Sequence, residues 1–147
     1  MVERVKSIVD LYTVGKLKAV DDPEMLVFFH KMMGDYHRYA AEVLVKEARA
    51  MRIADAEKAY LAALGHATNH LSTTNPIRLG LALNLSVFYY ELKGEELKAT
   101  TLAQSSFDNA IDDIDKLSEE AYRDSTLIMQ LIKDNLGLWA EAAQMGE

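Results

Sequence analysis

The pattern of apolar and polar positions predicts six helices along the chain. Apolar residues recur at intervals of three and four, the spacing that places them on one helix face, and Val and Ile do not alternate with polar residues as they do in strands. The predicted helices cover residues 2–18, 23–45, 47–71, 76–92, 95–114 and 119–142. We therefore expect an all-α protein of layered antiparallel helices, forming a single domain over residues 1–147.

Helix boundaries are marked unevenly along the sequence. Asp21-Asp22 before Pro23, and Ser118 before two glutamates, are helix-start signals. Neither Pro nor Gly separates the second helix from the third, so that boundary is the least well marked. On the fifth helix, the expected buried side carries the larger apolar residues Leu97, Leu102, Phe107, Ile111 and Ile114.

The fourth predicted helix is apolar on nearly every side. Asn75 before Pro76 supplies an N-cap and a suitable first residue, and Gly94 suits the position just past the helix end. A helix with apolar residues all round is expected to have neighbours around it. This segment is too short and too polar to be a comfortable membrane span.

One face of this helix carries polar groups. Gly80, Asn84, Val87 and Glu91 are spaced 4, 3 and 4 apart and so share a face. An amide donates and accepts at once, which suits Asn84 to holding a peptide backbone. The alternative is an asparagine satisfied by a neighbouring helix, and the spacing alone does not separate the two.

A column of charged residues follows the second helix. Lys31, Asp35, Arg38 and Glu42 recur at intervals of 4, 3 and 4. Such a column is typical of a solvated helix face with weak ion pairs, and it is also the arrangement that a binding wall would need. Both interpretations stay open at this point.

The net charge and the amino-acid composition of the chain disfavour several classes of binding partner. The net charge of −7 disfavours nucleic acid and an anionic membrane as partners. The absence of cysteine excludes disulfides and thiolate metal sites within this sequence. The first ten residues have no signal-peptide pattern, so we expect a cytoplasmic protein.

Catalytic motifs are not found in the sequence. No serine lies in a nucleophile elbow, and no glycine-rich loop would cradle a phosphate, so we expect neither an enzyme nor a cofactor. His66 and His70 have metal-ligand spacing. Without a third ligand placed by the sequence, we expect two surface histidines and no metal site.

Three separated stretches resemble one known family. Residues 75–92 (NPIRLGLALNLSVFYYEL), 32–43 (MMGDYHRYAAEV) and 125–141 (STLIMQLIKDNLGLWAE) closely resemble the 14-3-3 proteins, in the expected order, and LSEEAYRDS at 117–125 fits as well. The resemblance implies an adaptor that binds phosphoserine or phosphothreonine peptides. Its partners would be phosphorylated client proteins.

The resemblance also implies roles for particular residues. Arg38 and Tyr39 match the pair that grips the phosphate, and Lys31 matches a lysine of the groove. Arginine can bind two phosphate oxygens, and tyrosine adds a neutral donor. The remaining matches are peptide-binding positions: the amides Asn84 and Asn135, the apolar Val87, Leu131 and Trp139, and the supporting carboxylate Glu91.

This sequence departs from the family pattern in two respects. The match begins at the family's fourth helix, so the helices that carry further groove cations and most of the dimer seam have no counterpart among the six predicted ones. His37 stands where the family usually has tyrosine. We therefore expect weakened phosphate binding, and a homo-oligomer formed through a non-standard surface because apolar faces are uncovered. The alternative is a self-associating structural module without phosphopeptide binding.

Overall fold

The computed structural model describes residues 22–146, which are almost entirely helical. Five α-helices follow one another: α1 (Pro23–Val43), α2 (Lys46–His70), α3 (Pro76–Phe88), α4 (Glu96–Asp113) and α5 (Glu119–Met145). A π-helical turn, Tyr89–Lys93, extends α3, and a 3-10 turn, Ile114–Lys116, extends α4. Residues 22–146 contain no strand, so the all-α prediction is confirmed. The helix predicted at 2–18 lies outside the described residues.

The chain divides into two compact units. The first ends at Leu71 and the second begins at Ser72. In the described part, the first unit is the helical hairpin α1–α2, and the second contains α3, α4 and α5. A single domain over residues 1–147 stays a prediction.

The predicted start of α1 at Pro23 is confirmed, and α1 ends at a change in backbone conformation. The Asp22 carboxylate accepts from the backbone N–H groups of Glu24 and Met25 at 3.1 and 3.4 Å. Leu44 and Val45 are extended, and Lys46 adopts a left-handed φ of 55° before α2 continues without a side-chain cap. The absence of Pro, Gly and a capping side chain explains why the sequence marks this boundary poorly.

A glycine makes room for the largest buried side chain of the hairpin. Tyr60 on α2 is wholly buried, and its ring lies directly against Gly34 on α1. A Cβ atom at position 34 would be only 2.5 Å from the ring atoms Cδ1 and Cε1. The two helices therefore approach closely here because position 34 has no side chain.

Two histidines meet across the same hairpin. The rings of His30 and His66 are stacked, with centroids 5.5 Å apart and planes 17° from parallel. Burial, and then the proximity of His66, lower the pKa of His30. Of the two histidines expected at the surface, His70 is exposed and His66 is half-buried against His30.

The second unit is built around α3, whose two ends match the sequence signals. The Asn75 side chain accepts from the N–H groups of Ile77 and Arg78 at 2.8 and 3.3 Å. Gly94 ends the π-helical turn with a φ of 67°, and the next N–H, that of Glu95, donates to the Tyr89 carbonyl at 2.9 Å.

Helix α4 packs through small residues. Its buried positions are Ala99, Ala103 and Ala110. Leu97 is 80% exposed and Ile111 47% exposed, so the expected buried side is wrong at both. The core cluster of the unit contains Leu79, Ala103, Ala110, Ile114, Met129 and Ile132.

Two side-chain hydroxyl groups form hydrogen bonds between the segment before α3 and the rest of its unit. Thr73 donates to Asp113 at 2.6 Å, and the buried Ser125 donates to the Thr74 carbonyl at 2.6 Å. The first bond, and then Lys116, hold the pKa of Asp113 below its ordinary value. No helix within residues 22–146 is long and apolar enough to cross a bilayer.

Candidate functional site

The charged column on α1 is a connected ion cluster. Lys31 Nζ lies 3.0 Å from Asp35 Oδ2, and an Arg38 guanidinium nitrogen lies 3.6 Å from Asp35 Oδ1. Helical spacings of four and three bring these groups onto one face. Asp35 therefore interacts with two of the three residues predicted to bind phosphate.

Most side chains of this charged column are shielded from solvent. The side chains of Lys31, Asp35 and Arg38 are only 22%, 14% and 11% exposed. Glu42 alone is exposed. A solvated face is therefore the wrong interpretation for the first three residues, because α2 packs along this side of α1 and brings Tyr60 to it.

Tyr60 completes the cluster from α2. Its hydroxyl donates to Asp35 Oδ1, the same oxygen that faces Arg38. Burial, followed by the Asp35 carboxylate, raises the pKa of Tyr60 far above its ordinary value, so the hydroxyl stays a neutral donor. The sequence analysis missed this residue, which lies 25 positions from its partner; Gly34 beside Asp35 was the available signal for a ring packed there.

Arg38 contacts the neighbouring Tyr39 in two ways. One guanidinium nitrogen donates to the Tyr39 hydroxyl at 3.3 Å, and the guanidinium carbon lies 4.8 Å from the centre of that ring. Burial opposes the charged form, but Tyr60 and Asp35 outweigh it, so the pKa of Arg38 is raised. Its Nε is the one buried side-chain nitrogen or oxygen in residues 22–146 without a hydrogen-bond partner.

The three predicted phosphate-binding residues differ in accessibility. Tyr39 is 57% exposed, Lys31 is half-buried and Arg38 is buried. All three lie on α1, and Tyr39 has the most open position.

His37 joins a different group of side chains. It is buried, and Arg52 on α2 lies 3.2 Å from its Nδ1. Arg52 also donates to the Tyr36 hydroxyl at 3.4 Å and sits over that ring. The departure from the family pattern at position 37 is therefore accommodated by an arginine on α2, which the sequence analysis did not single out.

The predicted peptide-binding residues lie in the second unit, on two helices that pack against each other. Asn84 and Val87 are half-buried on α3, and Glu91 is exposed in the π-helical turn. Asn135 is half-buried on α5, and Leu131 beside it is 48% exposed. Each helix thus presents one amide and one apolar side chain at its surface.

Two stacked aromatic rings join α5 to the π-helical turn. The rings of Trp139 on α5 and Tyr90 in the π-helical turn are parallel within 9°, with centroids 4.6 Å apart. A π-helical turn is an uncommon element that often lies at functional sites. Trp139 is the single tryptophan of the chain and also packs against the core cluster of its unit.

These observations define an all-α protein that presents its candidate site on helix faces. The family model of the 14-3-3 protein matches residues 1–140. This chain belongs to the 14-3-3 family.

Individual relatives agree with that assignment. The chain is 46% identical over 139 residues to 14-3-3 protein beta/alpha-B of Xenopus laevis, covering 95% of this chain and 57% of the relative. It is 52% identical over 121 residues to 14-3-3 protein homolog 2 of Echinococcus granulosus, covering 82% and 49%. For 14-3-3 protein zeta of Bombyx mori, identity is 47% over 140 residues, covering 95% and 56%. The chain thus spans about half the length of these curated relatives.

Proposed function

We propose that this chain is an adaptor that binds peptides containing phosphoserine or phosphothreonine. The observation that carries the proposal is the cluster on α1, where Lys31 and Arg38 both face Asp35 and Arg38 contacts the exposed side chain of Tyr39. Cations with a neutral hydroxyl donor next to them suit the oxygens of a phosphate group. Membership of the 14-3-3 family supports the same function.

The other predicted residues complete the proposed binding mode. Asn84 and Asn135 would hold the peptide backbone, because each amide can donate and accept. Val87, Leu131 and Trp139 would contact apolar side chains of the peptide, and Glu91 would orient basic groups near them. The proposed partners are phosphorylated proteins, with no nucleic acid or membrane partner, no cofactor and no catalysis. The lack of cysteine suits a reducing compartment such as the cytoplasm.

Charge within the cluster supports weakened binding as part of the proposal. Lys31 and Arg38 share the single carboxylate of Asp35, so these three side chains sum to a charge of +1. A phosphate group carries a charge of about −1.5 to −2 at neutral pH. The described cluster therefore neutralises a phosphate only in part, and we expect a modest affinity that falls as salt is added.

A matched pair of peptides tests the proposal. We expect the full chain to bind a fluorescent phosphopeptide in preference to its unphosphorylated twin, measured by fluorescence anisotropy. Arg38→Ala should weaken phosphopeptide binding by about tenfold to a hundredfold, since a charge-assisted hydrogen bond contributes roughly 1.5–3 kcal/mol. Arg123→Ala, at an exposed position, is the control with the same change in net charge.

Equal binding of the two peptides would overturn the proposed function. Undiminished phosphopeptide binding by Arg38→Ala would move the phosphate site elsewhere. Trp139 provides a second readout, because a peptide that reaches α5 should change the fluorescence of this single tryptophan.

Self-association is a second candidate function, favoured by exposed apolar side chains on the hairpin. The larger ones are Met51 at 67%, Leu61 at 47%, Phe28 at 42% and Met25 at 39% exposure. Removing such side chains from water would stabilise a homo-oligomer. Size-exclusion chromatography with light scattering at micromolar concentration tests this candidate. A monomer of 16.5 kDa would contradict it.

A further inference from the structure

Asp35 is placed to compete for the two cations that the proposed function requires. One of its carboxylate oxygens faces Lys31, and the other faces Arg38 and Tyr60. The contact with Lys31 is close, at 3.0 Å, whereas the 3.6 Å separation from Arg38 is too long for a good hydrogen bond. The orientation of this carboxylate therefore decides how much of the Arg38 guanidinium remains for another anion.

Tyr60 is the group that fixes this orientation from the opposite helix. Its hydroxyl donates to the carboxylate oxygen that faces Arg38. A carboxylate oxygen that already accepts from a hydroxyl has less capacity left for the guanidinium.

The ring that carries this hydroxyl has little freedom to move. Tyr60 is wholly buried, and the absence of a side chain at Gly34 lets three of its ring atoms lie where even a Cβ atom would clash. The tyrosine is thus seated by packing and does not depend on its hydrogen bond for its position. Phenylalanine at this site would keep the same packing and lose only the hydroxyl, with its interactions with Asp35 and Arg38.

We propose that Tyr60 is a positioning residue for phosphate binding, which holds the Asp35 carboxylate back from Arg38 and so leaves the guanidinium available to the phosphate. The inference rests on the proposed function. It adds a residue of α2 to a site whose other phosphate-binding residues lie on α1. Tyr60 itself does not touch the phosphate.

A double-mutant cycle tests the role of the hydroxyl. Tyr60→Phe should weaken phosphopeptide binding about threefold to tenfold, the equivalent of one net hydrogen bond. In the Asp35→Asn background the same substitution should have a clearly smaller effect, because no carboxylate remains to turn toward Arg38 and only the direct interaction of the Tyr60 hydroxyl with Arg38 is lost. A purely structural role for Tyr60 would lower affinity equally in both backgrounds.

Two further variants keep the test specific. Tyr36→Phe removes a different buried hydroxyl of the hairpin, one that accepts from Arg52, and should leave phosphopeptide affinity unchanged. Asp35→Glu keeps the charge but displaces the carboxylate by one methylene, and should weaken binding. Circular dichroism confirms folding of each variant. The Nε–H signal of Arg38 in NMR spectra should shift in Tyr60→Phe and not in Tyr36→Phe.

The outcomes separate this inference from the proposed function. If the parent chain prefers the phosphopeptide and Arg38→Ala loses that preference, but Tyr60→Phe binds like the parent, the inference is wrong and the function stands. A loss in Tyr60→Phe that is equally large in the Asp35→Asn background would also overturn it. If the parent chain does not distinguish the two peptides, the proposed function fails and the positioning role fails with it.

Discussion

Replacing Gly34 by alanine should destabilise the α1–α2 hairpin, although alanine is the better helix former. The added methyl group would lie 2.5 Å from two ring atoms of Tyr60 and 2.8 Å from a third. Carbon atoms in contact prefer a separation of about 3.5–4.0 Å. Either the ring or the α1 backbone must therefore move by about 1 Å to relieve the overlap.

Two opposing effects set the size of the change. Alanine gains about 1 kcal/mol over glycine from helix propensity. Overpacking a buried site costs about 1–3 kcal/mol, and a wholly buried ring with three short contacts places Gly34→Ala at the upper end. We expect a net loss of about 2 kcal/mol in the free energy of unfolding.

Urea denaturation followed by far-UV circular dichroism measures this loss, and Gly65 provides a matched control. Gly65 lies on α2 in the same hairpin and is exposed, and a Cβ atom there would meet nothing within 4 Å. Gly65→Ala should therefore stabilise the chain by about 0.5–1 kcal/mol. If Gly34→Ala proves as stable as the parent chain or as Gly65→Ala, the close approach of Tyr60 to α1 does not limit the packing, and the reasoning is refuted.

Three further predictions concern other parts of the chain. Ser125→Ala should lower the free energy of unfolding by about 1–3 kcal/mol, because it leaves the Thr74 carbonyl without its buried donor. The control Ser105→Ala removes an exposed hydroxyl and should change the free energy of unfolding by less than about 0.5 kcal/mol. Similar losses for the two variants in urea denaturation would contradict this prediction. Lys46→Gly should raise thermal stability by about 1 kcal/mol, since glycine adopts the left-handed φ of 55° without strain, and a lower melting temperature would show that the residue is not strained. Because the pKa of His30 is lowered on folding, the unfolded state binds more protons and stability should fall as pH drops below about 6.5; His30→Phe should make that fall shallower, and equal slopes in both chains would exclude His30 as the cause.

Helix boundaries were predictable wherever a side chain or a glycine creates them locally. Asp22 and Asn75 accept hydrogen bonds from the first turns of their helices, and Gly94 takes the left-handed conformation that ends α3. Ser118 likewise accepts from the Ala121 N–H at the start of α5. The break between α1 and α2 has no such signal, because its extended residues are Leu44 and Val45.

The buried face of α4 shows the limit of judging burial from side-chain size. Large apolar residues suggested the core side, yet Leu97 and Ile111 are exposed. Alanines at 99, 103 and 110 are buried instead, since small side chains allow helices to approach closely. Spacing identifies a helix, but which face is buried depends on neighbours that the local sequence does not specify.

The candidate site shows the same division between local and distant information. Spacing along α1 correctly put Lys31, Asp35 and Arg38 on one face. It could not show whether that face meets water or another helix. The answer depends on Tyr60, which α2 brings to Asp35 from 25 positions away.

The packing of Tyr60 also links the stability of the hairpin to the proposed phosphopeptide binding. The ring packs against Gly34, while its hydroxyl donates to the Asp35 carboxylate, so a single side chain serves both purposes. The two effects are nevertheless separable. Gly34→Ala displaces the ring and should lower both stability and phosphopeptide affinity, whereas Tyr60→Phe keeps the ring and removes only its hydroxyl. Ser125→Ala acts in the second unit, to which no residue of the cation cluster belongs, and should reduce stability without changing the contribution of Arg38 to binding. Packing of the hairpin α1–α2 and the proposed phosphate binding would then depend on the same residue, Tyr60.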